Sequence, residues 1–219
     1  MKIGGHRGAK GESDENTLSS IKRAFYAGAD IVEIDVRYTK DRVPVLFHDE
    51  NIDRTTFGNG KIQDFTYREL LEFNSFIPTL KEALELIKDY DIELFIEIKV
   101  PGNEKYLFDL VKNEGLIDRV MFGSFNHRIV HTLLAVCDVD IRTFCILSSL
   151  PINPIHLAID AGACGLSFKH DFVDSNLVQQ IHTNGLKIMV WTVNDDENFR
   201  KFKDFGVDYL LTDYPSIFT

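Results

Sequence analysis

Positive charge is scarce in this chain. Of its 219 residues, 34 are Asp or Glu against 24 Lys or Arg, a formal net charge of −10. That balance argues against a nucleic-acid partner, because binding to a phosphate backbone is driven by clustered Lys and Arg. It also means that any anionic substrate must be held by a local site against the overall field. Long apolar runs are missing as well. None approaches the roughly 20 residues of a membrane-spanning helix, so no stable membrane association is expected. The amino terminus, Met-Lys-Ile-Gly-Gly-His, has no apolar segment of signal-peptide length, from which a cytoplasmic location is expected. Cysteine is rare, and Cys137, Cys145 and Cys164 lie without CxxC spacing. They read as packing residues, neither metal ligands nor a disulfide framework. With six prolines and no low-complexity tract, the composition is that of an ordinary globular protein. The length suits one domain over residues 1–219 with a large core; no oligomeric state follows from it.

What is present centres on Asp30–Asp49. Two apolar, β-branched runs, Ile31–Val36 and Val43–Phe47, flank a polar Thr-Lys-Asp-Arg turn, the pattern of strand, tight connection and strand. Side chains alternate along a strand, so Glu33 and Asp35 share one face and Val32, Ile34 and Val36 the other. Two neighbouring carboxylates on an otherwise buried strand repel each other and resist desolvation, which a cation would relieve. The second run ends at His48, beside Asp49.

The rest of the chain alternates. Strand-like runs recur at Lys2–His6, Leu94–Ile98, Val120–Phe122, Ile141–Leu147, Cys164–Phe168, Lys187–Thr192 and Tyr209–Leu211. Helical patterns run from Leu18 to Phe25, over Tyr67–Phe73, from Leu80 to about Leu86, and over Lys105–Glu114, Arg128–Cys137, Pro154–Ala161, Ser175–Asn184 and Glu197–Phe205. Strand-then-helix units imply parallel strands with helices outside. With Val43–Phe47 set apart as a hairpin addition, eight strands remain, the number that closes a (β/α)8 TIM barrel. The hairpin and the irregular stretch behind it then form a small insertion after the second strand, about residues 38–77. An open doubly wound sheet is the competing architecture.

A barrel puts its chemistry at the carboxyl ends of its strands. His6 and Arg7, Glu33 and Asp35, Glu97 and Lys99, and Trp191 all fall at strand ends, and His48 falls in the insertion. Glu33, Asp35 and Glu97 offer three oxygen ligands without cysteine or clustered histidine, which favours a hard divalent ion, Mg²⁺ or Ca²⁺, over zinc; the same carboxylates could instead be paired with Arg37 and Lys99. His6 and His48 suit general acid–base work near neutral pH. His127, His131, His156, His170 and His182 read as structural. Arg7, among Gly4, Gly5 and Gly8, could grip a phosphate bidentately or neutralise the acidic cluster, and Lys99 could add a point charge. Glu15-Asn16-Thr17 reads as a helix cap. Trp191 could wall a pocket for a polyol or pack into the core.

As a set, these residues resemble the glycerophosphodiester phosphodiesterase family. The matching stretches are His6-Arg7-Gly8, Glu15-Asn16-Thr17, Glu33-Ile34-Asp35-Val36, Pro44 to Asp49, Arg54-Thr55-Thr56, Ile96 to Lys99, Trp191 to Asn194 and Leu211 to Pro215, spread over nearly the whole chain. Asp14 departs from the family, which commonly has proline there. The resemblance implies a TIM barrel that hydrolyses small glycerophosphodiesters to glycerol 3-phosphate and an alcohol with a divalent metal. It implies Glu33, Asp35 and Glu97 as metal ligands and His6 and His48 as the acid–base pair. Arg7 and Lys99 would meet the phosphate, and Trp191 the glycerol. Two other functions share much of the pattern: a phospholipase-D-like hydrolase of lysophospholipids, and a non-catalytic barrel that binds a phosphorylated ligand.

Overall fold

A computed structural model describes residues 1–219. The first strand, β1 (Lys2–Gly5), leads through a glycine turn to α1 (Leu18–Tyr26), which Thr17 and Ser20 close at its start with reciprocal side-chain-to-backbone bonds. Next come β2 (Ile31–Tyr38), β3 (Pro44–Leu46), α2 (Tyr67–Phe73) and α3 (Leu80–Lys88), each of the two helices opened by a Thr–Glu capping box. Thereafter strand and helix alternate strictly: β4 (Glu93–Ile98), α4 (Glu104–Asn113), β5 (Val120–Ser124), α5 (His127–Val136), β6 (Arg142–Leu147), α6 (Pro154–Ala161), β7 (Gly165–Lys169), α7 (Ser175–Thr183), β8 (Lys187–Trp191), α8 (Asp196–Asp204) and β9 (Tyr209–Thr212). A last turn, α9 (Pro215–Phe218), ends the chain.

The strands are ordered β1-β9-β8-β7-β6-β5-β4-β2, all parallel, and β1 also pairs with β2. That pairing closes the sheet, which gives the (β/α)8 barrel and removes the open doubly wound alternative. The ninth strand, β3, lies antiparallel on β2 through Val36–Leu46, Arg37–Val45 and Tyr38–Pro44. It begins an insertion with its own small core of Val45, Phe47, Ile52, Ile62, Leu70 and Ile77.

Alternation sorts each strand between two environments. On β2, Val32, Ile34 and Val36 pack outward under the helices with Leu94, Ile96 and Ile98 of β4. Ile31 and Phe95 point inward, with Met121, Phe144, Ile146, Met189 and Leu211. Phe95 and Phe144 meet edge to face at 5.8 Å there. On the inner face of β2 the apolar Ile31 is therefore followed by Glu33 and then Asp35 towards the carboxyl end, and on β4 Phe95 is followed by Glu97. The β2–β4 register sets Asp35 beside Glu97.

Candidate active site

The turn after β1 is compressed. A Cβ on Gly5 would meet the Gly8 carbonyl oxygen at 2.0 Å, and Gly8, at φ +86°, leaves no room for a side chain beside Ser20. The tight turn throws His6 and Arg7 over the barrel mouth. Arg7 itself takes a left-handed backbone, φ 51°, and its main-chain N–H donates to Glu33 Oε2 at 2.6 Å. Its guanidinium Nη1 donates to Glu15 at 2.9 Å, and its Nε lies 3.5 Å from Asp35.

Asp35 is the most heavily held of the three carboxylates. Lys99 Nζ lies 2.8 Å from it and 2.5 Å from Glu97. Asn16 clamps it from the other side, its Nδ2 donating to Asp35 Oδ2 at 2.8 Å while its Oδ1 accepts from the Asp35 N–H at 3.0 Å. Burial works against the Asp35 charge, yet Lys99 and Arg7 hold its carboxyl well below the ordinary range. Glu33 differs: it is buried, its bond is to a main-chain N–H, and burial together with the charges of Asp35 and Glu97 drives its carboxyl well above the ordinary range. Burial, with Asp35 next, raises Glu97 to about 7. Three carboxylates thus face two side-chain cations, and the cluster remains short of positive charge. Their ligand oxygens all lie within 4.8 Å of one another, and an all-oxygen donor set of that size fits one hard divalent ion.

The two histidines arrive from opposite sides of the mouth with the same support. His6 Nδ1 is 2.7 Å from Asp213, which Asn194 holds in turn at 2.9 Å. His48 Nδ1 is 2.6 Å from Asp49. A carboxylate on Nδ1 keeps the proton there and leaves Nε2 free to exchange one. Burial lowers both imidazoles below their ordinary value despite these aspartates.

His6, Arg7, Glu33, His48, Glu97 and Trp191 line one cavity of about 450 Å³. Asp35 stands behind that lining, 1% exposed, and Lys99 faces an adjoining hollow. Trp191 packs edge to face on Phe125 at 5.7 Å. The Trp191 indole N–H and the Ser167 hydroxyl on the cavity wall are both buried without a partner.

Several members of this constellation were not singled out from sequence. In Glu15-Asn16-Thr17, read as a cap, only Thr17 caps α1. Asn16 is turned inward by a left-handed backbone, φ 54°, and Glu15 joins Arg7 to Arg54, which donates to it at 2.6 and 2.8 Å. Arg54 also donates to Asp49 at 2.6 Å, so a continuous chain of charged groups runs from His48 to Asp35. Arg37 does not pair with the carboxylates; its Nε donates to the His48 carbonyl at 2.8 Å. The first strand stops at Gly5, which leaves His6 in the turn.

A parallel barrel that gathers two histidines, fixed cations and a cation-deficient acidic cluster at its carboxyl mouth has the architecture of an enzyme. The profile of the glycerophosphoryl diester phosphodiesterase family matches residues 6–217, and the chain belongs to that family. It is 35% identical to a glycerophosphodiester phosphodiesterase of Caldanaerobacter subterraneus, over 96% of this chain and 93% of the relative. It is 32% identical to one of Bacillus altitudinis, over 98% and 95%. A phosphodiesterase structure from Oleispira antarctica, solved with the product sn-glycerol-3-phosphate, superposes with a TM-score of 0.89 at 29% identity, covering 99% of this chain and 94% of that one.

Proposed function

We propose that this chain, acting as one domain, hydrolyses small glycerophosphodiesters to glycerol 3-phosphate and an alcohol, with His6 and His48 as the acid–base pair. The observation that carries the reading is that two histidines, each with an aspartate on Nδ1, line one cavity with Glu33 and Glu97. One imidazole takes a proton from the attacking hydroxyl or water as the new P–O bond forms. The other returns a proton to the departing alkoxide as the old P–O bond breaks. Arg7 and Lys99 stabilise the charge that grows on the phosphoryl oxygens. Trp191 covers the glycerol moiety, and the unpartnered Trp191 N–H and Ser167 hydroxyl are suited to its hydroxyl groups. Glu33, Asp35 and Glu97 would hold one Mg²⁺ or Ca²⁺, which when bound would supply Lewis-acid charge at the phosphate. No helix of the chain is long and apolar enough to cross a membrane, in keeping with a small water-borne substrate.

The test is a panel of glycerophosphocholine, -ethanolamine, -glycerol and -inositol, with glycerol 3-phosphate release followed before and after chelation. The wild type is expected to release it and to stop on chelation, and Mg²⁺ or Ca²⁺ is expected to restore it. His6→Ala and His48→Ala are each expected to lose at least about 10²-fold in kcat while melting close to the wild type. Near-normal turnover in both variants would remove the acid–base assignment, and full activity after exhaustive chelation would remove the metal.

A further inference from the structure

Three residues other than glycine hold a left-handed backbone: Arg7, Asn16 and Arg42, the last at φ 64°. The first two belong to the site just described. Arg42 stands in the turn that joins β2 to β3 and takes no part in it. Left-handed geometry costs a residue with a Cβ about 1 kcal/mol or more relative to glycine, so a turn built only to reverse the chain is better served by glycine. Strain kept at such a position points to use of the side chain.

The Arg42 side chain reaches towards Asn103, with 3.5 Å between Nη1 and Oδ1. Together with Arg37, Lys40 and Lys99 it lines a hollow of about 1210 Å³ beside the barrel mouth. Glu50 is the one carboxylate in that lining, and it is already paired with Lys61 at 2.7 Å. Glu69 lies outside it, near Lys40. Arg37 spends only its Nε on the His48 carbonyl, which leaves both terminal nitrogens without a protein acceptor. Lys99 is held by Asp35 and Glu97, so a chain of net charge −10 gathers three cations without a carboxylate partner, Arg37, Lys40 and Arg42, around one space. The space adjoins the catalytic cavity: Arg37 and Lys99 also wall the hollow that holds His48 and Asp49, and His48 walls the cavity itself.

We propose that this basic hollow binds a second anionic group of the substrate, a phosphate carried by the leaving alcohol. The proposal rests on the diesterase reading and specifies its substrate class. An alcohol that departs past His48 enters a space whose free guanidinium and ammonium donors match a phosphate monoester. The local positive field also draws such a substrate towards the mouth against the net charge of the protein.

The experiment compares kcat/KM for glycerophosphoglycerol and for the same diester carrying a terminal phosphate on its leaving glycerol. It uses wild type, Arg42→Gly, which also relieves the backbone strain, and Lys40→Glu. The wild type is expected to favour the phosphorylated substrate by about tenfold or more, the scale of one charge-assisted hydrogen bond. That preference is expected to fall with added salt, to shrink in Arg42→Gly and to vanish in Lys40→Glu. Turnover of glycerophosphoglycerol is expected to stay at the wild-type level in both variants. Cleavage of both substrates with no preference in the wild type, or an equal loss on both in the variants, overturns the proposal and leaves the diesterase reading standing. Failure to cleave either substrate overturns the diesterase reading and the proposal with it.

Discussion

Where the strands begin, Glu93 sits between Lys2 and Arg142, each 2.5 Å away, and Asp208 accepts from Lys187 at 2.8 Å and lies 2.9 Å from His182. Where the strands end, Glu33, Asp35 and Glu97 share two side-chain cations, and two imidazoles stand nearby. Both ends bring carboxylates together, and their titration differs in sign. At the first, burial opposes the charge but the cations outweigh it, and Glu93 and Asp208 fall below the ordinary carboxylate range. At the second, burial prevails everywhere but at Asp35, which Lys99 and Arg7 hold low, lifting Glu33 and Glu97 and lowering His6 and His48. Completed pairs favour their charged forms and serve stability. Groups left short of a partner are poised to take one, whether proton, cation or phosphate.

The sharpest break in that contrast comes from removing a support at the mouth while leaving the reacting group in place. Asp213→Asn keeps the size of the side chain but ends the carboxylate hold on His6 Nδ1. The amide can present N–H instead, which selects the wrong tautomer. Turnover is expected to fall by roughly 10²-fold. Asp213 raises the His6 pKa against the effect of burial, so the limb of the kcat/KM profile that His6 governs is expected to move to lower pH. A fall in rate with an unmoved profile would reduce Asp213 to a packing role.

The barrel was legible in the sequence because its signal is repeated: seven separate strand-then-helix units and a last strand all point to the same layering, and an error of one or two residues at His6 or Thr192 changes nothing. The carboxylates were legible because Glu33, Asp35 and Glu97 interrupt strands that otherwise read as buried, and burial makes a charge conspicuous. Asn16 was not. Its role depends on a left-handed backbone, φ 54°, that turns it away from α1 and onto Asp35 nineteen residues on, and Glu15-Asn16-Thr17 is also a sound capping sequence. Glu15 and Arg54 meet only because the insertion folds back over the mouth. Asp213 is brought to His6 by the β1–β9 pairing, which joins the first and last strands of the barrel. Local pattern carries the scaffold and the anomalies on it; contacts made by closure and by strained turns carry the rest.

A smaller effect separates the two ends by stability. Glu97 has a folded-state pKa raised to about 7 by burial and by Asp35. A carboxyl with a raised folded pKa costs nothing below its unfolded value and destabilises progressively as pH rises through the folded one. Metal-free Glu97→Gln is therefore expected to match the wild type near pH 4 and to exceed it by pH 8. The shift sets the margin on the order of 3 kcal/mol, readable as a difference in melting temperature. Mg²⁺ or Ca²⁺ should narrow the gap by stabilising the wild type and leaving the variant unmoved. A variant less stable than the wild type at pH 8 without metal would mean that Lys99 alone satisfies Glu97.

Glu93→Ala at the other end should behave in the opposite sense, with the least consequence. Its partners are half-exposed, with Lys2 at 49% and Arg142 at 33%, so solvent screens much of the attraction. A loss of about 1 kcal/mol is expected. Because the Glu93 pKa is depressed in the fold by Lys2 and Arg142, that stabilisation is present above the unfolded carboxylate value and disappears as pH falls through the folded one. The deficit of the variant should thus be full at pH 7 and close towards pH 3, where that of metal-free wild type against Glu97→Gln is closed near pH 4 and opens on the way to pH 8. Catalysis should be unchanged, since Glu93 lies at the start of β4 and Glu97 towards its end, about one strand length apart. A loss of turnover in Glu93→Ala at constant melting temperature would show that the two ends are coupled through β4, and the division between a stabilising end and a reactive one would fail.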